Sequence, residues 1–120
     1  MSRTSSVTDP LIQQTLLGEA VDGAPVAIFV IGDDRKYVAV NQTACRLLGY
    51  ERDELLALGP EDIAPEAELE ELSEELAATG ELSGRTQLRT KSGEPIAVSY
   101  RTAATTAARM RFWISVVIPD

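Results

Sequence analysis

The chain has 120 residues, of which 44% are hydrophobic and 25% charged, and its formal net charge is −8. This length fits one domain, and the mixture is typical of a globular chain. The absence of histidine excludes Ser-His-Asp and Cys-His catalysis and histidine-ligated metals, and the single cysteine excludes an internal disulfide. Because an acidic chain is a poor partner for nucleic acids and anionic membranes, we expect neither. We expect a cytoplasmic module that is not an enzyme.

The first third of the chain predicts a tail, a helix and two strands. Residues 1–8 are small and polar, which indicates a disordered tail. Residues 9–22 predict a cap helix that begins with Asp9 as N-cap and Pro10 in its first turn. The main domain is then expected over residues 23–120. It opens with a continuous apolar strand over 26–31, whose pattern does not fix which side chains face inward, and a returning strand over 37–40.

The rest of the chain predicts a helical middle followed by three strands. A helix over 42–48 ends at Gly49, short helical turns occupy 51–64, and a longer helix spans 65–80. Strands are expected over 82–91, 96–102 and 109–118, and the weakly patterned stretch 103–108 is expected to contain a loop. The fold class is therefore α+β: a five-stranded antiparallel sheet, with helices on one face and the N-terminal helix on the other.

Acidic residues are concentrated in the helical middle. Residues 51–81 contain twelve acidic residues and one basic residue, Arg52. This segment is either a solvated helix face, which the pattern favours, or a docking surface for a basic partner.

Five segments, in this order, resemble PAS domains. They read GAPVAIFV from Gly23, DDRKYVAVN from Asp33, NQTACRLLGY from Asn41, ERDEL from Glu51 and RTKSGEPI from Arg89. The resemblance covers residues 20–118. It implies a sheet with helices on one face, a cavity between them that often holds a small molecule, and a sensing role in a signalling protein, here expected to be bacterial. The chain is expected to be either an excised domain or a stand-alone one, with an unknown output partner.

The resemblance also bears on cofactors. Cys45 lies in the helix after the second strand, and the flavin-linked cysteine of the light-sensing LOV branch belongs to a later helix with a different motif. Related domains bind haem through a histidine on the longer helix, which this chain lacks. We therefore expect no flavin and no haem.

The side chains that alternation turns toward the helices form the candidate ligand site. These side chains either form a solid core or leave a cavity, whose small aromatic share would favour an apolar or fatty-acid-like ligand. Hydroxyl groups on Thr86, Thr90, Tyr100 and Thr102 are either polar anchors for a ligand or partners of nearby backbone. The predicted site comprises Ile28, Val38, Val40, Ala44, Leu47, Leu48, Ile63, Leu72, Leu76, Leu88, Val98, Tyr100, Met110, Phe112, Ile114 and Val116.

Strict alternation in the last strand places Trp113 and Val117 on the opposite, outer face. A tryptophan there marks a covered surface. We expect the cap helix to cover it, within one chain or across a homodimer, with Leu11, Ile12, Leu16 and Leu17. Two functions remain open: a ligand-binding sensor, or a ligand-free dimerisation module of a larger signalling protein.

Overall fold

The computed structural model describes residues 9–64 and 69–120. Five helices and five strands follow one another along this part of the chain. The first half contains α1 (Pro10–Asp22), β1 (Ala27–Ile31), β2 (Tyr37–Val40), α2 (Gln42–Leu48), α3 (Arg52–Leu55) and α4 (Pro60–Ile63). The second half contains α5 (Leu69–Thr79), β3 (Glu81–Arg89), β4 (Pro95–Ala107) and β5 (Met110–Pro119). The predicted disordered tail and the predicted start of the long helix at 65–68 lie outside the described residues.

The strands form one antiparallel sheet in the order β2-β1-β5-β4-β3. The first and last strands of the chain, β1 and β5, are therefore neighbours in the centre. Helices α2 to α5 pack on one side, which we call the inner face, and the four most deeply buried large side chains lie there: Leu48, Leu55, Ile63 and Val98. The predicted α+β class and five-stranded antiparallel sheet are confirmed.

The hairpin between β4 and β5 differs from the prediction. The loop expected within 103–108 is shorter than predicted, because β4 continues to Ala107, which pairs with Met110, and only Ala108 of this stretch lies in the turn. Ala108 and Arg109 form a two-residue turn with φ values of 51° and 64°. Such turns favour Asn-Gly, so an Ala-Arg turn carries no recognisable sequence signal.

The facing of β5 is also opposite to the prediction. In β5, Trp113 and Val117 face inward, and this register pairs them with Ile31 and Ala27. The predicted inward positions of β5 lie on the outer face or in solvent, as does Ile28 of β1. These positions are Ile28, Met110, Phe112, Ile114 and Val116.

An irregularity in the pairing of β1 with β2 separates two residues that were predicted to face the same way. The register shifts between Val30 and Ile31. Val40, opposite Phe29, is buried, but the side chain of Val38 is 48% exposed. The predicted inward orientation of Val38 is therefore wrong.

Helix α1 begins as predicted but does not cover the sheet. The Asp9 carboxylate accepts a hydrogen bond from Leu11 N at 2.9 Å, which caps the helix. No residue of α1 is buried, and its apolar side chains Leu11, Ile12, Leu16 and Leu17 are exposed. Since Trp113 faces inward, the prediction that α1 covers Trp113 is wrong.

Asn41 connects the end of α1 to the sheet and to α2. Its Oδ1 accepts hydrogen bonds from Ile28 N at 2.9 Å and Ala44 N at 3.0 Å. Its Nδ2 donates to Val21 O at 2.8 Å and Val26 O at 2.9 Å. The side chain thus caps α2 and holds three segments together.

Candidate functional site

A cavity of about 380 Å³ lies between the inner face of the sheet and the helices. The sheet side comes from all five strands, and the helix side comes from α4, Ala64 and α5. Most of the lining is apolar. The cavity is therefore a concave, largely apolar space of the kind that holds small molecules.

Five predicted site residues line this cavity, and the others do not. Those that line it are Leu72, Leu76, Leu88, Val98 and Tyr100. Ala44, Leu48 and Ile63 are buried in the core beside it, and Leu47 packs against that core. Val40 and Ile28 border a separate groove of about 170 Å³ next to the end of α1.

Three of the four aromatic side chains of the lining, Phe29, Tyr37 and Trp113, were missed by the sequence prediction of the site. Four of the six aromatic residues of the chain line the cavity: Phe29, Tyr37, Tyr100 and Trp113. The rings of Phe29 and Tyr37 have centroids 5.1 Å apart at an angle of 38°. Phe29 and Ile31 lie on the same face of β1, and they pair with Ser115 and Trp113 of β5. Trp113 therefore faces inward because Phe29 does, and the pairing of β1 with β5 is the information that the sequence prediction lacked.

Hydroxyl groups supply the buried polarity of the cavity. Thr102 Oγ1 and Ser115 Oγ are 2.8 Å apart across β4 and β5, and either can be the donor. Both residues are at least nine-tenths buried. Thr86 also lines the cavity, whereas Thr90 lies outside the described lining and donates to Glu94 O at 2.8 Å.

Charged residues of the lining lie at its solvent-exposed edge. Arg35 Nη1 is 3.2 Å from Glu61 Oε1, and Asp33 lies on the same side of the cavity. Gly59 packs directly on the backbone of Arg35, and Tyr37 N donates to Leu58 O at 2.9 Å. The turn between β1 and β2 is therefore fastened to the loop before α4.

Both tyrosines of the cavity are held in the neutral form. Burial raises the pKa of Tyr37 far above its usual value, and the charge of Asp62 adds to this effect. Burial also raises the pKa of Tyr100, with a further contribution from Glu75. Both phenols therefore remain hydrogen-bonding groups without charge near neutral pH.

The family comparison agrees with this architecture. A family model described as "PAS domain" matches residues 25–118. This chain belongs to the PAS domain family. No curated protein matches it in sequence. PAS domains are sensory modules of signalling proteins and are generally not catalytic.

Solved PAS domains share the fold at low sequence identity. The PAS domain of a two-component sensor histidine kinase has 22% identity and a TM-score of 0.80, with 93% of this chain and 100% of the other covered. That of an HTR-like protein from Haloarcula marismortui has 16% identity and a TM-score of 0.82, with 98% and 100% covered. The PAS domain of a LuxR-family transcriptional regulator from Burkholderia thailandensis has 17% identity and a TM-score of 0.73, with 85% and 95% covered.

Cys45 lies away from the cavity of this PAS domain. It is on α2, partly exposed, and outside the described lining. Burial raises the pKa of its thiol, an effect that Arg52 partly offsets. A raised thiol pKa lowers the share of reactive thiolate.

Among the described residues, no helix has the length and apolar character needed to cross a bilayer.

Proposed function

We propose that this PAS domain is a signal-sensing module that binds a small, mainly apolar ligand in the cavity between sheet and helices. The observation that carries the proposal is the cavity itself. Its volume of about 380 Å³ falls within the range of small-molecule sites, and an apolar cavity of about 150 Å³ already admits benzene. The Burkholderia thailandensis PAS domain was solved in complex with ethanol, so a related fold accommodates a small organic molecule.

A fatty-acid-like ligand is the class that the sequence favours. Its apolar chain would gain roughly 0.8 kcal/mol for each buried CH₂ group. The prediction depended on a scarcity of aromatic residues in the lining. Four aromatic side chains line the cavity, which weakens the argument for a fatty-acid-like ligand. A fatty-acid-like compound is therefore one of the ligands to be compared in the binding tests.

Trp113 provides a direct measurement of ligand binding. It is the only tryptophan of the chain and lines the cavity, so its fluorescence should respond to an apolar ligand such as decan-1-ol. Thr86→Phe should fill the cavity and weaken binding by more than about tenfold, because the ring occupies the space of the ligand. Gln87→Phe, at the exposed neighbouring position of β3, is the matched control and should bind normally.

Ligands from the cell are the complementary test. Native mass spectrometry of the purified chain, followed by solvent extraction, should reveal a co-purified apolar molecule in the wild type and not in Thr86→Phe. If neither extraction nor titration detects a bound molecule, the sensor proposal is wrong and the ligand-free dimerisation module is favoured.

We also propose that the chain dimerises through the outer face of the sheet and α1. The outer face presents Phe112, Ile114, Val116 and Ile118 from β5, and Ile114 and Ile118 are among its exposed members. Helix α1 also exposes apolar side chains, namely Leu11, Ile12, Leu16 and Leu17. A two-fold dimer can bury both surfaces reciprocally, because each copy supplies a helix and a sheet face.

The oligomeric state tests this second proposal. Ile114→Asp and Leu16→Asp should each shift the mass in light scattering from dimer to monomer. Gln14→Asp, an exposed polar position on α1, is the control and should leave the mass unchanged. A wild-type mass in both apolar variants would exclude this interface.

Cofactors and location complete the proposal. The module is proposed to work in the cytoplasm. It is also proposed to bind neither haem nor flavin, because the chain has no histidine and Cys45 lies outside the described lining of the cavity. A purified protein with an absorbance band in the visible range would contradict the cofactor part.

A further inference from the structure

We propose that the cavity selects uncharged ligands with a planar ring system over fatty carboxylates. This inference rests on the proposed function, because it names the ligand class of the same cavity. Four properties of the cavity carry it: the aromatic lining, the volume, a buried pair of hydroxyl groups, and the distribution of charge.

The aromatic residues approach the cavity from separate strands. Phe29 and Tyr37 lie on the neighbouring strands β1 and β2, Tyr100 lies on β4, and Trp113 lies on β5. Aromatic rings interact through offset and edge-to-face contacts that an alkyl chain cannot reproduce. A flat ring within the cavity can therefore make such contacts with rings from more than one strand.

The volume indicates the size of the ring system. A cavity of about 150 Å³ holds one benzene ring. The present cavity, at about 380 Å³, is more than twice as large and has room for two fused rings.

The hydroxyl pair provides one buried position for a polar group of the ligand. One hydroxyl proton of Thr102 and Ser115 lies in their mutual hydrogen bond of 2.8 Å. The second proton and the remaining lone pairs are left for another partner. A neutral hydroxyl or carbonyl group on the ligand matches this position, because it can donate or accept without bringing a charge into the buried site.

The charges of the described lining disfavour a carboxylate. Its charged residues are two acids, Asp33 and Glu61, and one base, Arg35, and the Arg35 guanidinium already faces Glu61. Glu75 and Asp62 are close enough to influence the two cavity tyrosines. An anionic headgroup would therefore lose hydration and meet a surplus of negative charge.

Calorimetric titration of the full chain with a matched set of probes tests the inference. The probes are 2-naphthol, 2-naphthoate, decan-1-ol and decanoate, which separate ring from chain and neutral from anionic. We expect 2-naphthol to bind most tightly, and each carboxylate to bind at least about tenfold more weakly than its alcohol. Decanoate binding as tightly as 2-naphthol would overturn the selectivity and leave the proposed sensor function intact.

Variants connect the selectivity to named groups. Ser115→Ala should weaken 2-naphthol binding severalfold and leave naphthalene binding unchanged, with Ser99→Ala on β4 as the control outside the described lining. Glu61→Gln should strengthen 2-naphthoate binding without affecting 2-naphthol. If Glu61→Gln changed the binding of 2-naphthoate and of 2-naphthol by the same factor, the charge argument would be refuted. Failure of every probe to bind would overturn the ring preference. The sensor function would be rejected only if the cell extract contained no bound molecule as well.

Discussion

Replacement of Asn41 by alanine should be the most destabilising single change outside the apolar core. The side chain is 3% exposed and makes four hydrogen bonds, two as acceptor and two as donor, all with backbone groups. Asn41→Ala removes all four at once. It leaves the N–H groups of Ile28 and Ala44 and the carbonyl groups of Val21 and Val26 without these partners.

The magnitude follows from the burial of those backbone groups. A neutral hydrogen bond contributes about 1 kcal/mol net, and a buried group left without a partner costs about 1–3 kcal/mol. Ala44 is fully buried, so the loss of the hydrogen bond to its N–H is expected to cost the upper part of this range. Val21 is exposed, and its carbonyl can bind water instead. We expect a loss of about 3–4 kcal/mol in the free energy of unfolding, a large share of the usual total of about 5–15 kcal/mol.

Urea denaturation followed by circular dichroism measures this loss. Asn41→Ser should fall between wild type and Asn41→Ala, because serine keeps the helix cap but is too short for the other contacts. Gln42→Ala, at the exposed neighbouring position, should change stability by less than about 0.5 kcal/mol and serves as the control. A loss below about 1 kcal/mol for Asn41→Ala would show that water replaces this network, and the reasoning would be wrong.

Three further predictions concern other contacts of the fold. Gly59→Ala should lower the free energy of unfolding, measured by urea denaturation, by about 1–3 kcal/mol. The new Cβ would overlap the Arg35 carbonyl oxygen and lie 3.1 Å from the carbonyl carbon. Gly18→Ala in α1 meets no neighbour and should instead raise helix content and stability by up to about 1 kcal/mol; a loss would contradict the open surroundings of this position. The Glu54 carboxylate is held by Lys91 at 2.8 Å, which lowers the pKa of Glu54, so its stabilising effect is complete above its usual value of 4.5 and is lost as the pH falls through the lowered pKa. Urea midpoints between about pH 3 and pH 7 should therefore decline less steeply on acidification for Glu54→Gln, and parallel curves would refute the coupling.

The sequence could predict the inward face of β3 and β4 because only one face of these strands is markedly polar. In β3, Arg85, Gln87 and Arg89 alternate with Leu82, Thr86 and Leu88, and the structure exposes the first set. Polar residues in strict alternation define which face meets water. The same pattern placed Val98 and Tyr100 correctly in the cavity.

The facing of β5 could not be predicted in this way because both of its faces are apolar. Phe112, Ile114 and Val116 form the more apolar set, yet Trp113 and Ser115 face the cavity. A rule that turns the more apolar set inward therefore selects the wrong face. The candidate site was incomplete for the same reason, since its aromatic lining and its Thr102–Ser115 pair depend on how β5 is placed between β1 and β4.

The attachment of α1 at its C-terminal end makes this helix a lever. Val21 O is held by Asn41, and the Asp22 carboxylate receives a hydrogen bond from Gln42 N and contacts Arg52, while no residue of α1 is buried. Thirteen residues give an arm of about 20 Å, so a rotation of about 10° at the root moves the far end by about 3 Å. Because Asn41 shares its hydrogen bonds among α1, β1 and α2, a displacement at this junction would move the N-terminal end of α1 further than its root.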